Sequence, residues 1–545
     1  MKKLFTVSFF IFFFSLSGSA QPLYLHWTRF IGGTMSDYAF HSISTPDSSI
    51  VFVGMTSDTI GNYDIPASQN DSQVSAPTNL LVGKMDSNKQ LAWVKVYGGS
   101  RRDEGIKVLQ LNNGNYAVLG NTNSYDGDAT GLKGQTDIWL LCLDGQGNLL
   151  WQKTYGSSTS DEALSFAQTS DGGVIILGLT NGSDYDVPFH YGGFFDFDWL
   201  VIKTDSIGNL QWSKNIGGSG SEDGHGSIFQ ADGGYFMTGS SSSYDHDCDD
   251  SSWHIVPHSD VDYYLLKLDT VGNVLWSKSY GGSENDGVSD AIWDERDSTI
   301  VISGFTRSID LMVQNNNNSF YRSIWVIKVG SNGNYLSGCR MGDTILNNDA
   351  CNVLPFGTND YIFVSKCYTG FPLWPGRFGL SDTRIYLLDS SCSPYYEKIF
   401  GGTEQETYQN LITFKNGYVV SGSTLSSEFF EGINLINNHS TASEVYISGV
   451  FDVPDPASVK SKMPKKELLK IFPNPAKDVI RIVLPQRRLK CALTISDNSG
   501  RIVYSRQHTD KTEIELDVSA WAKGVYMVKW QSATGEKDSA NFVVN

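Results

Sequence analysis

The sequence predicts an all-β protein, in which a seven-bladed β-propeller precedes a small immunoglobulin-like β-sandwich. Three observations predict this class: a tryptophan and glycine phrase recurs along the chain, each period holds four strand-like segments, and the composition suits β-structure. Aromatic residues make up 12% of the chain, charged residues only 18%, and there are 54 glycines. This composition favours short strands joined by tight turns. A chain of 545 residues is also too long for a single core.

The recurring phrase is Trp-x-Lys-x-Tyr-Gly-Gly-Ser. Four good copies begin at Trp93, Trp151, Trp212 and Trp276. Weaker copies begin at Trp27 and Tyr396, and a poor one lies near Ser337. The spacing of about 58 to 66 residues suits one four-stranded propeller blade.

We name the four strands of each period a, b, c and d. The chain opens with a lone d strand, Tyr24–Ile31, and ends its repeats with a (Asn410–Phe414), b (Tyr418–Ser423) and c (Val445–Phe451). The first strand is therefore predicted to complete the last blade, which would remove both free sheet edges. Because the copies after Gly330 are eroded, six or eight blades are alternatives. An open stack of sheets is the other alternative, and the complementary chain ends argue against it.

The tryptophan, lysine and tyrosine of each d strand alternate with other residues, so they share one face of the strand. The tryptophans are predicted to pack between blades, and Trp212→Ala is expected to cost roughly 3–5 kcal/mol of stability. The Gly-Gly pair that follows would let the chain swing to the inner strand of the next blade.

The a-to-b and c-to-d turns lie on one side of a propeller, and here they are short. The b-to-c and d-to-a connections lie on the opposite side, and here they are long, especially after strand b. Long loops on a rigid scaffold usually carry binding sites. The d-to-a connections also collect carboxylates, which we predict to contact a ligand: Asp103, Glu104, Asp161, Glu162, Glu222, Asp223 and Asp286, with Glu404 and Glu406 in the last copy.

The b-to-c loops carry alternating aspartates, a pattern that suits a hard cation such as calcium. These residues are Asp126, Asp128, Asp184, Asp186, Asp245 and Asp247. They complete no EF-hand loop, and the alternative is ordinary turn chemistry. One loop adds His246, Cys248, His254 and His258, which could bind zinc. The alternative for that loop is an exposed polar segment.

Cysteines number seven. Cys339, Cys351, Cys367 and Cys392 lie within about 55 residues and could form one or two disulfides. Cys142 sits in an apolar strand and is expected to be a core residue.

Residues 1–20 form a predicted signal peptide, with Lys2 and Lys3 before an apolar run and Ala20 before the cleavage site. The run is too short to span a bilayer, so the mature protein is expected to lack a transmembrane segment. The net charge is −18, yet the segment from Asp452 onward holds 16 Lys and Arg against 11 Asp and Glu. The repeats are therefore strongly acidic, which excludes nucleic acid as a plausible partner and favours cations or basic surfaces.

The C-terminal segment contains four ordered motifs, Ile471–Asp478, Ile495–Arg501, Leu516–Ser519 and Gly524–Lys529. This order resembles the type A sorting domain of type IX secretion, whose motif residues here are Pro473, Asn474, Pro475, Gly500, Arg501, Gly524 and Tyr526. The resemblance implies the type IX machinery as partner and a secreted or surface-attached protein. Six short strands, between Val479 and Val544, predict the sandwich. Residues 453–468, rich in proline and lysine, are the predicted linker between the repeats (21–452) and the sorting domain (469–545).

The phrase Leu-Asp-x-x-Gly-Asn-x-x-Trp looks like the tryptophan docking motif of quinoprotein propellers, although it covers only the c-to-d turn. The whole repeat is similar to the Gly-Gly/Trp repeats of secreted propellers from Bacteroidetes-type bacteria. We find no serine elbow, P-loop or HExxH motif. The leading hypothesis is a non-catalytic ligand-binding or adhesion module. The alternatives are an extracellular enzyme acting on glycans, with acids on the long-loop face, and a structural surface protein.

Overall fold

The computed structural model describes residues 24–58, 61, 64–66, 77–193, 195–248, 261–310, 312–313, 322–341, 348–368, 381–400, 406–415, 417–424, 435–436, 444–451, 470–472, 477–483, 491–497, 501–508, 513–532 and 537–544. The predicted signal peptide and linker lie outside these residues. The chain divides into two compact units, Met1–Pro456 and Ala457–Asn545. The described part is β-structure with one 3-10 turn, His246–Cys248. None of its helices is long and apolar enough to cross a membrane.

The first unit begins with strand β1 (Tyr24–Ile31), after which four-stranded meanders follow in chain order. Sheet 1 is β2 (Asp37–Ser44), β3 (Ile50–Thr56), β4 (Asn79–Met85) and β5 (Leu91–Tyr97); sheet 2 is β6 (Asp103–Gln110), β7 (Tyr116–Thr122), β8 (Asp137–Leu143) and β9 (Leu149–Tyr155); sheet 3 is β10 (Asp161–Gln168), β11 (Val174–Thr180), β12 (Asp198–Thr204) and β13 (Leu210–Ile216). Sheet 4 is β14 (Glu222–Ala231), β15 (Gly234–Ser241), β16 (Asp262–Leu268) and β17 (Val274–Tyr280); sheet 5 is β18 (Asp286–Asp294), β19 (Thr299–Thr306), β20 (Ser323–Gly330) and β21 (Tyr335–Met341); sheet 6 is β22 (Asn348–Phe356), β23 (Asp360–Tyr368), β24 (Ser381–Leu388) and β25 (Pro394–Phe400).

Sheet 7 joins the two ends of this unit. Its strands are β26 (Glu406–Phe414), β27 (Gly417–Thr424), β28 (Leu435–Ile436) and β29 (Glu444–Phe451), and β1 lies between β29 and β28. Strand β1 pairs antiparallel with β29, with Trp27 opposite Gly449 and Ile31 opposite Val445. The predicted pairing of the opening strand with Val445–Phe451 is therefore confirmed. The parallel two-residue strand β28 was not predicted.

The first strands of successive sheets contact one another in sequence, from β2 to β6 and on to β22 and β26, and β26 contacts β2. Polar side chains near a register shift in these strands form bonds between sheets. Lys107 Nζ donates to Ser165 Oγ at 3.0 Å, and Ser227 Oγ donates to Asp290 Oδ1 at 3.0 Å. Ser42 Oγ donates to Asn410 Oδ1 at 3.2 Å and so links sheets 1 and 7.

Residues of the repeated phrase form contacts between neighbouring sheets. In the outer strand of sheet 3, Trp212 lies over Gly272 in the last turn of sheet 4, where an added Cβ would be 2.7 Å from Trp212 Cζ3. Gly272 has φ +84, a value that side chains adopt at a cost. At the next junction, between sheets 4 and 5, the tyrosine of the phrase adds a hydrogen bond, because Tyr280 OH donates to the carbonyl of Gly333 at 2.6 Å. The predicted packing role of the tryptophans is confirmed, although those of the outer strands β5, β9, β13 and β17 are half-buried.

We expect Trp212→Ala to lower the free energy of unfolding by about 3 kcal/mol, the lower end of the sequence estimate, because the ring is half-buried. It packs against the core shared by Tyr235 and Leu268, among others. Chemical denaturation measures the loss. Leu210→Ala, on the same strand at 40% exposure, is the control and should change little. Equal stability of Trp212→Ala and wild type would contradict the packing role.

The second unit contains two sheets among its described residues. One comprises β30 (Lys470–Phe472), β31 (Val479–Val483) and β34 (Glu513–Asp517), and the other β33 (Ile502–His508), β32 (Cys491–Asp497), β35 (Gly524–Ser532) and β36 (Lys537–Val544). Side chains of both sheets share one core, in which Ile480 and Ile482 of the first pack with Leu493 and Val528 of the second. The predicted series of short strands is thus present, with β30 in addition.

Candidate functional site

The b-to-c loops and the Gly-Gly turns lie at the same end of the sheets, which we call the loop end. Aspartates of the loops bind backbone amides of the serines that follow the Gly-Gly pairs, or Gly156-Ser157 in sheet 2. Asp126 Oδ1 accepts from Ser100 N at 2.8 Å, and Asp184 Oδ1 accepts from Ser158 N at 2.7 Å. Asp245 and Asp310 do the same with Ser219 and Ser283, at 2.7 and 3.0 Å. The predicted division into two ends is confirmed by these contacts.

The second aspartate of each pair also binds the Gly-Gly turn. The amides of Asp128, Asp186 and Asp247 donate to the carbonyls of Gly98, Gly156 and Gly217, at 2.9, 3.2 and 3.1 Å. The residue between the two aspartates has positive φ, as Tyr185 (51°) and His246 (53°) show. The six aspartates predicted to bind calcium therefore fasten loops to turns, and whether they also hold an ion stays a prediction. Among the described residues, no three His, Cys, Asp or Glu side chains are grouped to hold a metal ion.

Four of the acids predicted to bind ligand are buried, at 0% exposure for Asp103, Asp161 and Asp286 and 1% for Glu222. Each accepts from the backbone of the turn before it. Asp103 Oδ2 accepts from Gly99 N at 2.8 Å, and Asp286 Oδ2 accepts from Gly282 N at 2.9 Å. Asp161 and Glu222 bind Ser157 N and Gly218 N at 2.6 and 3.3 Å. These acids begin inner strands rather than lying in connections, and in this conformation they cannot touch a ligand.

Burial raises the pKa values of these carboxyl groups. Burial raises the pKa of Asp103 and of Asp286 to about 6 each, and it raises the pKa of Asp161 as well. Burial, reinforced by the neighbouring Asp198, raises the pKa of Glu222 to about 8. Glu222 Oε1 accepts from Ser241 Oγ at 2.7 Å, so the group is held by hydrogen bonds even when neutral. Glu222 is therefore mostly neutral at pH 7, whereas Asp103 and Asp286 become neutral only below about pH 6.

The remaining acids of this set reach the surface. Glu162 and Asp223 are exposed. Glu104 is partly exposed and accepts from Arg102 at 2.9 Å and from Asn121 Nδ2 at 3.2 Å. Strand alternation separates them from their buried neighbours. The side chain of Glu406 and the whole of Glu404 lie outside the described residues.

Exposed aromatic rings are found in the loops of the same end. Tyr125, Tyr185 and Tyr244 are exposed by 62%, 71% and 51%, and Phe195 by 87%. Tyr125 is held in place by Arg101, whose guanidinium lies 4.6 Å from the ring centre. Sequence analysis missed these rings, although the signal was present, because a tyrosine adjoins an aspartate in each of three loops.

The proposed zinc ligands are only partly described. His246 stacks on Tyr191 with ring centres 4.3 Å apart, and Cys248 is buried with Sγ 3.8 Å from Glu222 Oε1. His254 and His258 lie outside the described residues. Cys142 is buried as predicted. Cys339 and Cys392 are not joined by a disulfide in this structure, and the side chains of Cys351 and Cys367 are not among those described.

The sorting-motif residues fall in the second unit. Tyr526 is 4% exposed and donates to the carbonyl of Ala522 at 2.7 Å, while Gly524 begins β35. Arg501 closes a turn, since its amide donates to Asp497 Oδ1 at 3.0 Å and its Nε to Oδ2 at 3.1 Å. Pro473, Asn474, Pro475 and Gly500 lie outside the described residues.

Comparison with known families identifies this unit. Residues 470–545 match the secretion system C-terminal sorting domain. This sorting domain indicates export by type IX secretion and a secreted or cell-surface location. The described strands and the buried Tyr526 are thus parts of the sorting domain.

Comparisons of the repeats give broader likenesses. Regulatory protein FlaEY of Caulobacter vibrioides is 30% identical over 169 residues, which are 30% of this chain and 17% of that protein. Among solved structures, the Pan2 WD40 domain of Neurospora crassa shares 10% identity, covering 76% of this chain and 89% of its own, with a TM-score of 0.38. Sqt1 of Chaetomium thermophilum shares 9% identity, covering 79% and 99%, with a TM-score of 0.37. The matched region spans about a sixth of FlaEY.

Proposed function

We propose that the chain is a secreted or surface-displayed, non-catalytic ligand-binding module, in which a seven-bladed propeller presents its loop end to an extracellular ligand. Seven sheets in the described residues, joined through their first strands and through β1, support the blade count. The two-sheet core of the second unit supports an immunoglobulin-like sandwich. The sorting domain would deliver the propeller through the type IX machinery.

The exposed tyrosines of the loop end carry this proposal. Large aromatic side chains are enriched where proteins bind, because they bury much area at little entropic cost. Tyr185 is 71% exposed and its backbone has φ 51°, so the ring is held out from the surface in a conformation that side chains rarely adopt. Residues held in sparsely populated backbone conformations cluster at binding and catalytic sites.

The ligand class follows from the charge of this end of the repeats. Glu162 and Asp223 are exposed at the same end, and the repeats as a whole are acidic. Aromatic faces beside carboxylates suit a glycan, through stacking and hydroxyl bonds, or a basic protein segment, through charge and cation–π contacts. Binding to an array of glycans and basic peptides distinguishes these two ligand classes. Analysis of the array for cleaved glycans tests the alternative that the protein is a glycan-degrading enzyme.

A triple variant tests the binding end. Replacing Tyr125, Tyr185 and Tyr244 by serine should weaken binding of the array hit by at least about 10-fold, because hot-spot aromatics each contribute more than 1 kcal/mol. The matched control replaces Leu150, Val271 and Leu275, which are 52–56% exposed near the opposite turns. Loss of binding in the control but not in the tyrosine variant would show that the ligand binds at the end opposite the loop end, which contradicts the proposal.

Export is predicted to depend on the second unit. A chain truncated before residue 470 should accumulate inside the cell envelope, while the full chain appears on the surface or in the medium. Immunoblots of fractions from a type IX-competent host measure this, and a reporter with a signal peptide fused to residues 470–545 should follow the full chain. Equal export of the truncated chain would refute the role of the sorting domain.

Calcium is the cofactor we propose for the loop aspartates. Ions that bind only the folded state raise its melting temperature. Thermal melts with calcium and with chelator test this, and an unchanged melting temperature would remove the ion from the proposal.

A further inference from the structure

Two cysteines replace residues of the repeat where sheet 5 meets sheet 6. Cys339 lies opposite Val326 in β21, the position that Lys278 holds opposite Leu265 in sheet 4. Cys392 holds the position of the turn glycine, and its amide donates to Asp389 O at 2.8 Å. Its φ is 64°, in the region that glycine occupies in the equivalent turns. Both replacements occur at the same junction. At the other junctions a lysine faces the turn glycine of the next sheet, and here Cys339 faces Cys392.

The geometry of the other junctions gives the spacing of these two side chains. A Cβ on Gly208, Gly272 or Gly333 would lie 3.0, 3.1 or 2.8 Å from Cγ of the facing lysine. In a disulfide, the Cβ of one cysteine and the Sγ of the other are about 3 Å apart, given an S–S bond of about 2.05 Å. Since Sγ of Cys339 takes the place of a lysine Cγ, the repeat sets the two cysteines at bonding distance. Cys339 Sγ already contacts the carbonyl oxygen of Cys392.

This junction also lacks the tryptophan and the tyrosine of the repeated phrase. Ser337 stands in place of the tryptophan, opposite Lys328. Met341 stands in place of the tyrosine whose hydroxyl binds the turn carbonyl elsewhere. Cys392 is buried and Cys339 partly so, both within one core of sheets 5 and 6. A covalent link would take the place of the packing that the tryptophan gives at the other junctions.

We propose that Cys339 and Cys392 form a disulfide that joins sheets 5 and 6 in the exported protein. The oxidant is a disulfide of the cell envelope, either a small molecule or a dithiol oxidase. One cysteine thiolate attacks it and releases one thiol, and the second thiolate then displaces the other. The two cysteines lose two electrons and two protons in total, and the oxidant disulfide becomes two thiols. Because burial raises the pKa of both thiols in the folded state, the bond forms fastest before the junction closes.

Peptide mapping of the full chain, purified without reductant and incubated with oxidised glutathione, tests the pairing. Trypsin places the four clustered cysteines on separate peptides, 329–340, 341–366, 367–377 and 385–398. We expect a linked pair of 329–340 with 385–398 that separates on reduction. Alkylation of both Cys339 and Cys392 as free thiols, or a link from either to Cys351 or Cys367, would overturn the proposal.

Melting temperature tests the effect of the link. Reduction should lower the melting temperature of the oxidised chain by several degrees, since a loop of about fifty residues is released. Cys339→Ser should show no shift on reduction, and neither should Cys392→Gly, which restores the glycine of the repeat. Cys351→Ser and Cys367→Ser are the matched controls and should keep the wild-type shift. A shift that survives in Cys339→Ser, or that disappears in the controls, would contradict the assignment.

Discussion

A chain that lacks residues 24–31 will be less stable than the complete chain by more than about 5 kcal/mol, or will not fold. Strand β1 supplies the side chains that fill the cores on both faces of sheet 7. Phe30 is fully buried with residues of sheet 6, and Trp27 and Ile31 are buried with residues of sheet 1. Each such side chain contributes roughly 3 kcal/mol or more. Removing β1 also leaves β29 as a bare edge, because β29 pairs with β1 from Tyr24 to Ile31.

Chemical denaturation of the two chains, each otherwise complete, measures this difference. A synthetic peptide of residues 24–31 should restore part of the lost stability when added, whereas a peptide of the same composition in scrambled order should not. Phe30→Ala gives an intermediate loss of about 3–5 kcal/mol. Equal stability of the shortened and complete chains would show that β1 is dispensable and that sheet 7 closes without it.

Stability should fall as pH rises from about 4.5 to 8, and Glu222 should account for a large part of the fall. Its ordinary pKa of 4.5 is raised to about 8 in the folded chain. Between these values the folded state keeps a proton that the unfolded state has lost, so the stabilisation is complete below 4.5 and lost above 8. At 1.36 kcal/mol for each pKa unit, the effect is on the order of 5 kcal/mol. Asp103, Asp137 and Asp286, raised to about 6, act in the same direction between 3.8 and 6.

Glu222→Gln isolates this contribution, because its side chain cannot ionise. The variant should be close to wild type in stability at pH 5 and more stable at pH 8, as measured by denaturation at each pH. Glu162→Gln removes an exposed acid from the equivalent part of sheet 3 and should parallel wild type. His41 acts in the opposite sense, because burial lowers its pKa and its contribution is lost as pH falls below about 6.5. A Glu222→Gln curve parallel to wild type at all pH values would disprove the assignment.

Most of the architecture could be predicted because the same pattern of strands and turns recurs in each period of the sequence. The tryptophan and glycine phrase determined the strand order, and the complementary ends predicted the pairing of β1 with β29. The acids of the loop end could not be sorted in the same way. Asp103 and Glu104 are adjacent and chemically alike, yet strand β6 begins at Asp103 and turns one inward and the other outward. Sequence analysis assigned both acids to a d-to-a connection and therefore treated both as surface groups.

The exposed tyrosines were missed for a related reason. Their position beside an aspartate was visible, but the positive φ that holds Tyr185 outward depends on the bonds between loop and turn. Such bonds join segments about 26 residues apart, and no local pattern predicts them. The pairing of Cys339 with Cys392 was open for the same reason, because only the alignment of β21 with other outer strands brings the two positions together.

The place of β1 in sheet 7 has a consequence for the order of events during export. A chain that crosses the inner membrane from its N-terminus presents β1 first and β29 more than 400 residues later. Sheet 7 cannot assemble until that whole length has been translocated, so β1 must wait, unpaired, while the other sheets form. The sorting domain begins at residue 470, shortly after β29 ends at Phe451. The last strand of the repeats and the sorting domain are therefore translocated at almost the same time. We expect the outer-membrane machinery to receive the chain just after the repeats have folded.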